Sequence, residues 1–465
     1  MLSEKNQAAN AAEAVWEETP EFKEPIYKID ERPQRAWECI LYGWQHTLVD
    51  ISPFILPLAV AAAIGMSAGE KAQFINFGLF AMGFATIIQT TIGNRLPIIQ
   101  GPSATLTATL APIASQLGPA AMWGGIFVGG LIEMLIGLSK VLKYLRKLFP
   151  PAVSGVVITC IGLSLGQLAI RLSVGDARPA NFLFAGGVIA MIFILQLRCR
   201  KYLNGIISRG AIFISIWFIG IGIASIFGEV NWSLVAEKPW FALPELFPYG
   251  GPGFGWEFIA AAILATFAGY LGSMVESLGD YAATCAVAGE TYQVKHMNRG
   301  IFAEGLGAIV GAALGGVPCT SYTQNIGIIA ATGVASRFIV QIAAVILILY
   351  GLCPKFGALL VAMPRSVLGG VFTIICGMIV VSGIRLMSVA KNTNANTLLI
   401  GTTLICAISI PIYVKYSLGE VWLSQLPLAV NLLLTNTVVL GVLISVTLNI
   451  VLNIGLKGDR EDSNA

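Results

Sequence analysis

Glu276 and Asp280 stand four residues apart in a run that is otherwise uncharged. On a helix that spacing puts both carboxylates on one face. His46 and Asp50 repeat the spacing in the first apolar run, and Glu133 and Glu304 lie in two others. A carboxylate at the centre of a membrane span costs about 2.5–3.5 kcal/mol on insertion scales. None of these runs carries Lys or Arg at comparable depth. An acidic interior argues against a carboxylate, sulfate or phosphate substrate. It favours a cation, a coupling proton or sodium ion, or a neutral ligand with N–H donors. Glu133, set among Leu, Ile and Met, reads as an interhelical tie.

The segment Pro318-Cys319-Thr320-Ser321-Tyr322-Thr323-Gln324-Asn325 is too short and too polar for a plain membrane helix. Gln324 and Asn325 are expected where an unwound stretch gives way to a helix, so that backbone N–H groups and a half-helix N-terminus face a cavity. Gln324 supplies a donor and an acceptor, whereas Glu276 supplies acceptors only. The pair suits a flat heterocycle that displays N–H beside C=O, as oxidised purines and pyrimidines do. Tyr322 is placed to stack on its face.

The elements that hold these residues follow from composition. The 465 residues are 56% hydrophobic and 11% charged, where soluble domains carry about 25% charge. A polytopic, all-α membrane protein is the class that remains. The net charge of +3 points to no nucleic-acid partner, and the eight cysteines form no C-x-x-C pair. Neither a disulfide framework nor a metal site is expected. Residues 1–38 read as a soluble, partly disordered tail, and a second short tail starts near Lys457.

Between the tails we count about fourteen apolar segments: 40–64, 73–92, 97–117, 119–142, 151–171, 181–197, 207–227, 256–283, 300–316, 318–334, 336–352, 365–384, 396–414 and 428–456. The third, with Gln100-Gly101-Pro102-Ser103-Ala104-Thr105, is as broken as the tenth. Lys140, Lys143, Arg146, Lys147, Arg198, Arg200, Lys201, Lys295, Arg299, Arg385 and Lys391 all follow even-numbered spans. Both termini are therefore expected in the cytoplasm. Pro150, Val153, Gly155, Val157, Thr159 and Ile161 recur at one constant offset as Pro364, Val367, Gly369, Val371, Thr373 and Ile375. A similar offset superposes the two broken spans. Seven spans separate the copies, an odd number, so the copies must be inverted, as in many secondary transporters. Gly307, Gly311 and Gly315 make a small-residue stripe on span nine that would let its backbone approach a neighbour.

Gln324-Asn325-Ile326-Gly327 followed by Thr332-Gly333 resembles the signature of the nucleobase–ascorbate transporters, [Q/E/P]-N-x-G-x-x-x-x-T-[R/K/G], at every position. Gln45-His46 is similar to that family's first-span Gln-His, and Glu276-Ser277-Leu278-Gly279-Asp280 to its eighth-span carboxylate pair. The likeness runs over about residues 36–457. It implies a seven-plus-seven inverted fold with a core and a gate. The core would be residues 39–148 (spans 1–4) and 256–363 (spans 8–11). The gate would be 149–255 (spans 5–7) and 364–457 (spans 12–14), with 458–465 as tail. It implies elevator-like transport and a homodimer joined through the gate. By position it makes Glu276 and Gln324 the main substrate ligands. Tyr322, Thr323, Ser103, Ala104 and Thr105 would line the pocket, with Pro53 a weaker contact. His46, Asp280, Glu304 and Asn325, with Gln45, Gly327 and Thr332 from the motifs, would form the supporting network.

The family's uracil carriers tend to place Glu at Gln324 and His at Asp280. Its xanthine and urate carriers place Gln and Asp there, as this sequence does, and Gly333 resembles prokaryotic purine carriers. Ala104 departs from the pattern, since many relatives have a bulky residue at that position. The expectation is a proton-coupled importer of xanthine or uric acid in the plasma membrane, without a cofactor, sodium being the alternative coupling ion. The rivals are a uracil or broad nucleobase symporter and, further off, an anion transporter of the same fold. An enzyme is not expected, because no nucleophile–base set, H-E-x-x-H or phosphate loop is present.

Overall fold

The computed structural model describes residues 24–49, 52–139, 141–142, 148–199 and 211–454. Asp50, the side chain of Pro53, the loop cations Lys140, Lys143, Arg146, Lys147, Arg200 and Lys201, and the C-terminal tail lie outside that set.

The apolar runs become helices, and Gly, Pro and capping residues set where they begin, bend and stop. The first span is two pieces, α1 (Ala36–Val49) and α2 (Ser52–Ile64). α3 (Ala68–Thr91) opens on a capping box in which Ser67 N donates to Glu70 Oε2 at 2.7 Å and Glu70 N to Ser67 Oγ at 3.4 Å. Strand β1 (Gln100–Pro102) precedes α4 (Ala104–Ser139), which bends at Gly118 just before Pro119, where the sequence separates spans three and four. α5 (Pro151–Val174) and α6 (Pro179–Arg198) each start with proline in the first turn, where its missing N–H costs nothing. α7 (Ala211–Ser215) runs on through a π-helical stretch, Ile216–Ile223, into Ala224–Ile226.

The second half has α8 (Ala260–Val287), α9 (Val294–Ala313), strand β2 (Cys319–Ser321) and α10 (Thr323–Thr332). Then come α11 (Arg337–Gly351), α12 (Pro354–Ala362), α13 (Arg365–Ser388) and α14 (Asn394–Tyr413). α15 (Leu428–Thr435) and α16 (Thr437–Asn449) follow, the latter running on into a π-helical stretch, Ile450–Ile454. Among the described residues seven helices are long and apolar enough to cross a membrane alone, or nine if each of two bent pairs is one span.

Two features differ from the sequence reading. The segment 428–456, expected as one span, turns through 90° at Asn436. That side chain accepts from Val438 N and Val439 N and donates to Thr109 O, so it caps α16 and stops α15. Residues 24–35, expected as solvated tail, are docked instead. Tyr27 N donates to Gly333 O (3.2 Å), Ala335 N to Tyr27 O (2.9 Å) and Arg337 N to Ile29 O (2.9 Å). Arg337 Nε also pairs with Asp30 at 2.6 Å and its Nη1 reaches Thr90 O at 3.3 Å. Ile29 packs on the apolar clusters beneath.

The core divides in two large clusters. One runs from α5, α6 and α13 across to α3, α11 and α12. The other lies under the 228–255 loop, where Tyr249 stacks on Trp123 with ring centroids 5.4 Å apart. Of the expected glycine stripe, Gly315 lies beyond the end of α9 at φ 73°, and Gly307 and Gly311 do not make that helix's tightest contact. A side chain at Gly311 meets only ordinary contacts, whereas one at Gly305 would run into the backbone of Gly130 and Met134 on α4.

Candidate binding site

β1 and β2 pair antiparallel, with Gln100 opposite Ser321, Gly101 opposite Thr320 and Pro102 opposite Cys319. Each strand ends where a half-helix begins, α4 at Ala104 and α10 at Thr323. Two helix N-termini, with their partial positive charge, are thereby brought together inside the molecule. Across from them runs α8 with Glu276 and Asp280.

The strand pair is pinned at both ends. Ser103 N donates to Pro318 O at 2.9 Å, and Tyr322 N to Ile99 O at 3.1 Å. Tyr322 OH donates to Pro102 O at 3.0 Å, and its ring covers Gly101 so closely that no side chain fits there. Tyr322 is 6% exposed, so it forms a wall of the site. Ser103 is fully buried; its Oγ accepts from Leu106 N (3.2 Å), which makes it the cap of α4, and donates to Ser273 Oγ (3.4 Å).

Asp280 and Glu304 are occupied with holding β2. Asp280 accepts from Ser321 Oγ (3.0 Å) and Thr323 Oγ1 (2.8 Å). Glu304 accepts from Ser277 Oγ (2.7 Å), Tyr281 OH (2.6 Å) and Ser321 N (3.2 Å). Gln89 Nε2 in turn donates to Tyr281 OH at 2.9 Å. Ser321 thus bridges both carboxylates. Ser277, Tyr281, Ser321 and Gln89 were not given roles by sequence reasoning, because such residues are ordinary in membrane helices and their geometry needs the strands paired. Glu133 is buried, and its Oε1 finds no partner among the described residues; that atom makes no interhelical tie.

Glu276 differs from these. It is half-buried and its one hydrogen bond among the described residues comes from Thr105 Oγ1 at 3.3 Å. A carboxylate has about four acceptor positions, so most of its capacity is open. Gln324, half-buried in the first turn of α10, follows Thr323, whose bond to Asp280 fixes that turn against α8 one turn from Glu276. Ala104 is also half-buried at the start of α4. Asn325 points the other way: fully buried, its Nδ2 donates to His46 Nδ1 at 2.9 Å and ties α10 to α1. Gln45 is half-buried beside His46. A Cβ at Gly327 would meet nothing, and α10 ends at Gly333, φ 71°, where Thr332 Oγ1 accepts from Val334 N at 3.2 Å. The second half of the signature is therefore a helix stop.

A backbone clip between two half-helices, facing a carboxylate pair, is the architecture of a membrane carrier's midplane site. The profile of the Permease family matches residues 38–416, and the chain belongs to that family. It is an integral membrane transporter and not an enzyme. Similar proteins include a uric acid transporter of Escherichia coli, 32% identical over 89% of this chain and 86% of the relative. A xanthine permease of Bacillus subtilis is 30% identical over 91% of this chain and 95% of the relative. Among solved structures, the transmembrane domain of a cyanobacterial bicarbonate transporter shares the fold at TM-score 0.57 and 16% identity, over 90% of this chain and 99% of that one. Murine solute carrier 26 member A9, an anion transporter, shares it at 0.60 and 12%, over 91% and 69%. At such identities these two speak to the fold alone.

Proposed function

We propose that this chain is a secondary active transporter that imports a purine nucleobase, xanthine or uric acid, together with protons. The observation that carries the reading is the open acceptor capacity of Glu276 on α8, across from the first turn of α10, where the amide of Gln324 makes no hydrogen bond among the described residues. Glu276 accepts from ring N–H groups while Gln324 both donates and accepts, which matches the alternating N–H and C=O edge of an oxidised purine. The named activities of the uric acid and xanthine permeases support the same substrate class.

In this reading the chain makes fourteen spans as two inverted sets of seven, with both termini in the cytoplasm and the protein in the plasma membrane. The antiparallel pairing of β1 with β2 supports the inversion, since two copies related by an in-plane axis meet head to tail. Residues 39–148 and 256–363 form the core, which moves as an elevator against a gate of residues 149–255 and 364–457 that dimerises. The test is uptake of labelled xanthine, urate, guanine and uracil into cells, with and without a protonophore. Uptake of xanthine or urate that collapses with the proton gradient supports the reading. Preferential uptake of uracil would refute the substrate assignment.

A further inference from the structure

A cavity of about 870 Å³ opens between α2 and α4 on one side and α5, α13 and the segment after α14 on the other. It runs along the facing sides of two helices: Ala108, Ala111 and Ser115 of α4, and Leu165, Leu168 and Leu172 of α5. Its inner end, at Ala108, is one turn from Ala104 and Thr105, and Thr105 bonds Glu276. The outer end lies some two turns away, roughly 10 Å at helical rise. The cavity thus comes within one helical turn of residues that line the site.

Its charge is one-sided. Arg171, Arg365 and Lys415, from three separate elements, line it, and no Asp or Glu does. All three are exposed, and none forms an ion pair among the described residues. Arg178, four residues beyond α5, is by contrast paired with Asp176 and Glu229. Lys71 adds a fourth cation close enough to Arg365 to feel its charge. On the topology above this mouth is extracellular, the face where Lys and Arg are normally sparse. Three cations with no carboxylate partner among the described residues converge there, against that bias.

We propose that the cavity is an anion-collecting vestibule, and that the protein captures its purine as a planar monoanion, the form urate takes at neutral pH. This rests on the purine-import reading and narrows it. Low-dielectric walls lined by one sign of charge focus the field and raise the local concentration of the opposite ion. The vestibule draws urate in; its N–H groups then meet Glu276, and the co-transported proton offsets one of the two negative charges.

The first experiment reads the field without transport. In Ser115→Cys, which puts a thiol on the cavity wall, a negatively charged methanethiosulfonate should react faster than a positively charged one. The ratio should fall about tenfold when Arg171, Arg365 and Lys415 are all changed to Gln, and should shrink in 0.5 M salt. Reconstitution in purely zwitterionic lipid excludes an anionic headgroup as occupant, and the chain without the new cysteine gives the background. An unchanged ratio overturns the vestibule even if purines are imported. The second is uptake: KM for urate should rise about tenfold in the triple variant at low salt, with kcat and the KM for neutral xanthine at pH 6 unchanged. Equal losses for both purines also overturn it. Failure of the wild type to import either purine counts against the import reading instead, and leaves the labelling ratio to decide the vestibule.

Discussion

At the residue scale the site separates groups that hold from groups that are free to bind. Asp280 and Glu304 are engaged by donors from β2, α8 and α10, Asp280 by two and Glu304 by three, while Glu276 accepts one bond among the described residues. Gln324→Glu keeps the shape but removes the donor and adds a charge. An unpaired buried acceptor on the ligand costs about 1–3 kcal/mol, so xanthine affinity should fall roughly ten- to hundredfold. Glu276→Gln should lose more, because charge-assisted bonds are the stronger ones. A binding titration on purified variants, with circular dichroism for folding, checks both; wild-type affinity in the two together would place the pocket elsewhere. Asn325→Ala should lower turnover more than affinity, because its partner is His46. In a double-mutant cycle His46→Ala should add little to Asn325→Ala if the one bond is what both remove. Fully additive losses would contradict that. Glu276, Gln324 and Asn325 were legible in the sequence because polar residues inside apolar runs stand out. Ser321 and Ser277 were not, since hydroxyls are common in such helices and only strand pairing turns them toward a carboxylate.

At the element scale the breaks marked by Gly and Pro were readable: the strand before α4, the bend at Gly118, the strand before α10. The 90° turn at Asn436 was not, because an asparagine side chain caps the next helix there without any proline or glycine. Nor was the docking of residues 24–31, whose polar composition gave no sign of strand-like pairing. Close approach makes two sharp predictions. Gly101→Val would drive its side chain into the Tyr322 ring, and should abolish xanthine binding while the protein still reaches the membrane. Gly305→Leu would strike the α4 backbone; overpacking of this kind costs about 1–3 kcal/mol or more, so folded protein recovered in detergent should drop. Gly311→Leu should be the milder of the two by the same size-exclusion assay. The reverse order would mean that α9 packs through its other face.

At the scale of the whole molecule the membrane class followed from composition alone, and the paired broken spans were visible as a repeated offset. How those spans close on each other needed the fold. Since the described residues that build the site include carboxylates and no Lys or Arg, purine uptake should depend on a proton gradient: a protonophore should reduce accumulation in vesicles to passive equilibration. Accumulation that survives it and requires Na⁺ would overturn the coupling. The docked segment at residues 24–31 has a practical consequence. Among the described residues, its hydrogen bonds to other elements reach Gly333–Arg337 and, through Arg337, Thr90, all within the proposed moving part. A fluorophore attached at Glu24 would therefore ride with the cargo, while one at Asn392, just past α13, would stay with the scaffold. Energy transfer between them would report each crossing as it happens, in a protein that needs no change anywhere near its substrate.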